Sequence, residues 1–148
     1  MTAWRSTQPM PPGQLSVTHY KRLHYHLFQD VYSWAGKFRT VRISKKDSMF
    51  CYPENISGEM NILFDKLRQE KHLKSLELKI FAHKAAHFLA ELNAIHPFRE
   101  GNGRTQLAFL TILASQAGHI AVGTLISERP PHRSGRAQFR HPAPVDGV

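Results

Sequence analysis

Apolar residues return every three or four positions in four stretches of the chain, and each stretch predicts an amphipathic helix. Tyr20, Leu23, Leu27 and Val31 form the core face of the first. Ile56, Met60, Leu63, Phe64 and Leu67 mark a helix entered through Pro53 and Glu54, residues suited to a first turn. Across residues 76–95, Ile80, Phe81, Ala85, Phe88, Leu89 and Leu92 recur at helical spacing, so one face is expected in the core. The helix predicted over 103–117 carries Leu107, Phe109, Leu110, Ile112, Leu113 and Ala114. With so little polar face it is expected to be central and buried. After the first helix the period changes to two. Arg39-Thr40-Val41-Arg42-Ile43-Ser44 alternates like a strand, and Met49-Phe50-Cys51-Tyr52 can pair with it across Lys45-Lys46-Asp47-Ser48, predicting a hairpin. The fold class is mainly α with one small β-hairpin.

The most informative stretch joins the last two helices: His96-Pro97-Phe98-Arg99-Glu100-Gly101-Asn102-Gly103-Arg104-Thr105-Gln106. Pro97 disfavours helical geometry at the residue before it, which leaves His96 at the helix end with its side chain projecting beyond the last turn. Asn102 is a candidate N-cap for the next helix. A helix start preceded by Gly101-Asn102-Gly103 offers unpaired N–H groups converging on one point, reinforced by the positive end of the helix dipole. A phosphate fits there, and the two glycines let it approach the backbone and allow positive φ angles. Glu100 can hold Mg²⁺, which takes few carboxylates and completes its shell with water and phosphate oxygens. Arg104 can add a bidentate phosphate contact. His96, ordinarily titrating near about 6.5, can accept a proton from an attacking hydroxyl. A proline stop and a glycine-rich cap also join ordinary helices, so spacing alone leaves a phosphate site and a plain linker both open.

The run from His96 to Arg104 resembles the signature of the Fic family, HxFx(D/E)GNGRxxR, at every specified position through Arg104. Leu27-Phe28-Gln29-Asp30-Val31-Tyr32-Ser33-Trp34-Ala35-Gly36-Lys37-Phe38-Arg39 is similar to the region that precedes the flap in that family, and the likeness spans residues 15–118. The resemblance implies a Fic-type helical bundle with a hairpin flap. It implies an enzyme that moves AMP from ATP to a Ser, Thr or Tyr hydroxyl of a target protein and releases pyrophosphate. In that scheme His96 is the base, Glu100 the Mg²⁺ ligand and Phe98 an apolar anchor. Gly101, Asn102 and Gly103 form the anion hole, with Arg104 on the phosphates. The Doc-like branch, which transfers phosphate, carries Lys where this chain has Gly103, so AMP transfer is expected. The hairpin corresponds to the flap, whose backbone would pair with an extended target segment, with Ser44, Met49 and Phe50 on the docking side. One position departs from the signature: its second arginine is replaced by Leu107. A lost charge-assisted contact is worth about 1.5–3 kcal/mol, or roughly ten- to a hundredfold in rate. The alternative function is therefore a catalytically weak or silent module that docks nucleotide or target. Family members are also restrained by an (S/T)xxxE(G/N) helix that residues 124–129 match only in part, so restraint would fall to a small antitoxin-like inhibitor protein.

Composition narrows the remainder. At 148 residues and 41% hydrophobic content the chain suits one domain. Residues 1–13, with Pro9, Pro11 and Pro12, read as a flexible arm, residues 14–118 as the Fic domain, and residues 119–148, without apolar periodicity, as an irregular tail expected to be disordered or truncated. A net charge of +9 invites a nucleic-acid reading, but Lys and Arg are scattered and do not interleave with aromatics, which argues against it. The basic surface suits ATP, an acidic target or an acidic inhibitor. His83, His87 and Glu91 share a helical stripe, yet Lys84 stands where a hydrolytic zinc helix needs Glu, so a solvated stripe is expected. His19, His24 and His26 read as surface or packing residues. No segment is apolar enough for a membrane, and the single cysteine, Cys51, suits a reducing compartment. Cytoplasmic residence is expected, unless a secretion system exports the chain.

Overall fold

The computed structural model describes residues 3–45 and 48–119. Its elements in order are α1 (Ala3–Thr7), α2 (Val17–Phe28), β1 (Ser44–Lys45), β2 (Ser48–Met49), α3 (Pro53–Gln69), a 3-10 turn (Lys71–Leu73), α4 (Leu78–Ile95) and α5 (Asn102–Gln116). The architecture is the mainly helical bundle that the periodicity predicts.

Ser16 caps α2 by accepting from the His19 amide at 3.2 Å, and the helix buries Tyr20, Leu23 and Leu27 as expected. Val31 does not join that face. The helix ends at Phe28, the chain turns through Val31 N–H to Phe28 carbonyl, and Val31 is exposed. Pro53 starts α3, where its missing N–H costs nothing, and all five predicted core residues of α3 are buried. In α4 the core stripe runs Phe81, Ala85, Phe88, Leu92 and Ile95; Ile80, a hundred degrees around the helix, is 45% exposed. The expectation that α5 is enclosed on all sides fails as well. Phe109, Leu113 and Ala114 are buried, but Leu107, Leu110 and Ile112 are half-buried, and the first turns bury polar Asn102, Thr105 and Gln106 instead.

Tyr20 lies at the centre, with Phe64, Phe98 and Phe109 around it at ring-centroid distances of 5.6, 5.8 and 5.5 Å. Phe98 belongs to the loop between α4 and α5, so this loop is anchored in the bundle by a side chain whose burial is worth about 1.5–3 kcal/mol.

Two expectations at the periphery change. The arm, expected to be flexible, carries α1 and is fastened: Arg5 Nε meets Asp30 at 2.6 Å, Arg22 donates to the Pro12 carbonyl, and His19 Nε2 lies 2.9 Å from the Pro11 carbonyl. Among the described residues the hairpin is much shorter than its alternation predicts, pairing Ser44 with Met49 and Lys45 with Ser48, plus Phe50 N–H to Ile43 carbonyl. The expected irregular tail beyond His119 and the partial motif at 124–129 lie outside the described residues.

Candidate active site

Helix α4 stops because His96 takes a left-handed conformation, φ 52° and ψ 63°, its amide still bonded back to the Leu92 carbonyl at 3.0 Å. Pro97 disfavours continuation at the residue before it, so the helix ends where the sequence indicates. The side chain does not project freely. Its ring lies flat against Phe50 of the flap, centroids 3.9 Å apart and planes 7° from parallel, and Nδ1 is buried without a hydrogen bond. Burial lowers the His96 pKa to about 4, partly offset by the Asn93 backbone carbonyl and reinforced by Lys45 and Arg39. The ordinary value near 6.5 assumed from sequence therefore does not hold with the flap in this position. The imidazole is neutral at physiological pH.

Asn102 is not the N-cap. That place falls to Gly101, at φ 83°, and Asn102 is the first helical residue. Its buried amide clamps the loop, accepting from Phe98 N–H at 3.0 Å and donating to the Phe98 carbonyl at 2.7 Å. Gly101 is required twice over, since a Cβ there would stand 2.3 Å from the Phe28 ring and the left-handed φ disfavours side chains. Gly103 has ordinary helical φ, so only one of the two glycines serves the turn. The first amide of α5 to find a backbone acceptor is Thr105, on the Gly101 carbonyl at 3.1 Å. Among the described residues, the amides of Asn102, Gly103 and Arg104 have no acceptor and no side-chain cap. Three free N–H groups at the positive end of a fifteen-residue helix form an anion nest.

Glu100 and Arg104 flank this nest, both exposed and without a side-chain partner among the described residues. No cluster of three metal-ligating side chains exists among the described residues. Mg²⁺ fits such a place, because it takes one or two carboxylates and finishes its octahedron with water and substrate phosphate. Ser44 and Met49 face each other on the flap, both exposed, whereas Phe50 turns inward to His96. Leu107 is half-buried one turn beyond Arg104.

Two residues that hold this site escaped sequence reasoning. His24, read as a surface or packing residue, is fully buried: Nδ1 accepts from Gly36 N–H at 2.9 Å, so Nε2–H donates to the Glu100 carbonyl, also at 2.9 Å. Its ring stacks on Phe98 at 3.7 Å, and burial lowers its pKa to about 4. A signal existed, since Tyr20, His24 and Phe28 fall on one i, i+4 line of the core face. Arg39, read as a strand residue, is buried and donates to the carbonyls of His96, Val41, Cys51 and Ile95. Of these carbonyls, Val41's lies on the ladder side of the hairpin, whereas Cys51 faces away from it, its N–H bonded to the Ala94 carbonyl. His87, for its part, contacts Glu91 at 2.6 Å on the exposed face of α4.

Comparison with known proteins agrees with the geometry. A model of the Fic/DOC family matches residues 14–114. The Sinorhizobium fredii protein named "Probable protein adenylyltransferase y4lH" is 54% identical over 116 residues, covering 78% of this chain and 60% of the relative. Protein adenylyltransferase VbhT of Bartonella schoenbuchensis is 43% identical over 107 residues, 72% of this chain and 22% of that one. The chain thus spans at most 60% of the length of these two relatives. Among solved structures, the Bartonella tribocorum effector BepC with bound AMPPNP superposes with a TM-score of 0.66 at 29% identity, over 78% of this chain and 61% of BepC. The Fic domain of a Bartonella quintana effector with bound ADP gives 0.66 at 30%, over 74% of this chain and 58% of that chain. With its signature loop, uncapped helix start and flap in this arrangement, the chain belongs to the Fic/DOC family.

Proposed function

We propose that the chain is a protein adenylyltransferase that transfers AMP from ATP to a Ser, Thr or Tyr hydroxyl of a target protein. The observation that carries this reading is the start of α5, where the left-handed Gly101 leaves the amides of Asn102, Gly103 and Arg104 free, directly after the loop that carries His96 and Glu100. Phosphates of ATP take those amides as donors, and Arg104 reaches them from the first turn. Bound Mg²⁺, held by Glu100 and phosphate oxygens, supplies neutralisation of phosphate charge.

The target hydroxyl gives its proton to His96 as its oxygen attacks the α-phosphorus. A new P–O ester bond forms, the bond from that phosphorus to the oxygen bridging the β-phosphate breaks, and pyrophosphate leaves. The imidazole must be uncovered for this, which requires Phe50 to move off its ring. Uncovering also restores basicity, because the burial that holds the ring near pKa 4 is relieved. An extended target segment pairing with one edge of the flap, along Ser44 or along Met49, would supply that displacement. ATP as co-substrate assigns the reaction to a cytosol, that of the producing cell or of a recipient. The reading of a silent docking module is less favoured, since relatives from separate bacterial genera bear the transferase name.

Incubation with labelled ATP, Mg²⁺ and cell lysate tests the reading. Labelled protein bands are expected with the native chain and none with His96→Ala; equal labelling by both would refute the role of His96.

A further inference from the structure

Arg39 is a buried cation without a carboxylate. Its side chain is 3% exposed, burial lowers its pKa from the ordinary value, and no acid pairs with it among the described residues. Backbone carbonyls satisfy it instead. Nε donates to His96 at 2.7 Å, one terminal nitrogen to Val41 at 2.7 Å, and the other to Cys51 at 2.6 Å and Ile95 at 3.1 Å. The Arg39 amide adds a bond to the Pro97 carbonyl at 2.9 Å.

These acceptors come from three places. Ile95 and His96 end the helix that presents the base, Val41 lies on the chain entering the flap, and Cys51 lies on the chain leaving it. One rigid guanidinium therefore fastens both legs of the flap to the peptide of His96, itself held in a left-handed conformation that an unsupported histidine seldom adopts. The nucleotide half of the site is held by other bonds. His24 grips the Glu100 carbonyl and Asn102 grips Phe98; the Arg39 guanidinium bonds to neither, and its amide, which any substitution keeps, reaches the Pro97 carbonyl.

From this division we infer that Arg39 is a positioning residue, one that sets the spacing between the target-docking flap and His96 and governs target engagement without acting on nucleotide binding. The inference rests on the transferase reading for its functional consequence. A lysine cannot substitute, because a single ammonium with three donors does not span carbonyls from three segments as a planar fork does.

The test uses the full chain with Arg39→Lys and Arg39→Ala. Calorimetry with Mg-AMPPNP reports the nucleotide half, labelling of lysate proteins from labelled ATP reports transfer, and NMR of ¹³C-labelled histidine reports the Phe50 ring current on His96. In Arg39→Lys, AMPPNP affinity is expected to stay within about twofold of native while labelling falls about tenfold or more and the His96 ring-current shift collapses. Adding guanidinium ion to Arg39→Ala is expected to restore labelling and the His96 signal in part; if that variant does not fold, the lysine variant decides alone. Native labelling and native His96 shifts in Arg39→Lys overturn the inference. So does a parallel loss of AMPPNP affinity or of cooperative folding in that variant, which makes Arg39 a general scaffold residue. Absence of transfer by the native chain defeats the transferase reading alone, since the ring-current and nucleotide measurements still decide what Arg39 holds in place.

Discussion

Two imidazoles, His24 buried and His96 half-buried under Phe50, should make this domain lose stability steeply in mild acid. His24 and His96 both sit near pKa 4 in the folded chain, chiefly because burial disfavours the charged ring. In an unfolded chain such rings titrate near about 6.5. Protons therefore bind the unfolded state first as pH falls. The stability these neutral rings contribute is complete above about pH 6.5, drains away as pH drops, and is gone near 4. Each gap, about 2.5 pH units, corresponds to roughly 3–4 kcal/mol, so the pair accounts for roughly 7 kcal/mol of a total that for such domains is about 5–15. Between the two limits, two protons taken up on unfolding give a slope of about 2.7 kcal/mol per pH unit. Urea unfolding followed by circular dichroism at constant ionic strength, from about pH 7.5 to 4.5, measures it directly. His24→Gln lowers the starting stability, because a buried donor or acceptor at Gly36 or Glu100 loses its partner, but it should also halve the slope. Free energies that stay level from neutrality to about pH 4.5 would refute the burial argument, and an unchanged slope in His24→Gln would refute the share assigned to that residue.

Other consequences follow from the same contacts. Phe50→Ala removes the ring stacked on His96 and should raise its pKa from about 4 toward the ordinary value; an NMR titration that finds no rise would show that the flap does not bury the base. Gly101→Ala forces a side chain into a left-handed φ and against Phe28, so thermal melts should show a loss of about 1–3 kcal/mol along with nucleotide affinity. Gly103→Ala, at an exposed helical position, should melt as the native chain does, and similar damage at both sites would contradict this assignment of the turn. Leu107→Arg supplies the missing arginine of the family signature and is expected to raise AMP transfer roughly ten- to a hundredfold; transfer that stays level or falls would mean that Arg104 alone suffices.

What could be read beforehand divides along a physical line. Helices α2, α3, α4 and α5 were legible because burying one stripe of a helix imposes a period on the residue types, and that period is visible without coordinates. Errors arose where position around the axis or chain direction decides burial. Ile80 lies beside the stripe of Phe81, and Val31 follows a helix that had already ended at Phe28. The chemistry-bearing loop was equally legible, since His96, Glu100 and the glycines announce themselves by type and order. Its internal construction was not. Asn102 is as good a cap by composition as by rank, yet the reciprocal bonds it gains with the Phe98 backbone need a loop already pinned by Phe98 in the aromatic core.

The supports of the site were the least legible part, and the reason is general. Arg39 and His24 act on carbonyls and amides of the main chain, groups that every residue carries and no residue type advertises. A salt bridge leaves two complementary letters in a sequence, whereas a guanidinium bonded to four carbonyls leaves one letter that alternation assigns to a strand. Both legs of the hairpin are instead fastened below its two paired positions, Val41 and Cys51 by the Arg39 guanidinium and Cys51 also by its N–H to the Ala94 carbonyl. Among the described residues the flap has two paired residues on each strand, and a side chain holds its roots to the His96 carbonyl. A longer ladder would stiffen the hairpin without tying it to the end of α4, which the bonds from Arg39 to His96 and Ile95 do.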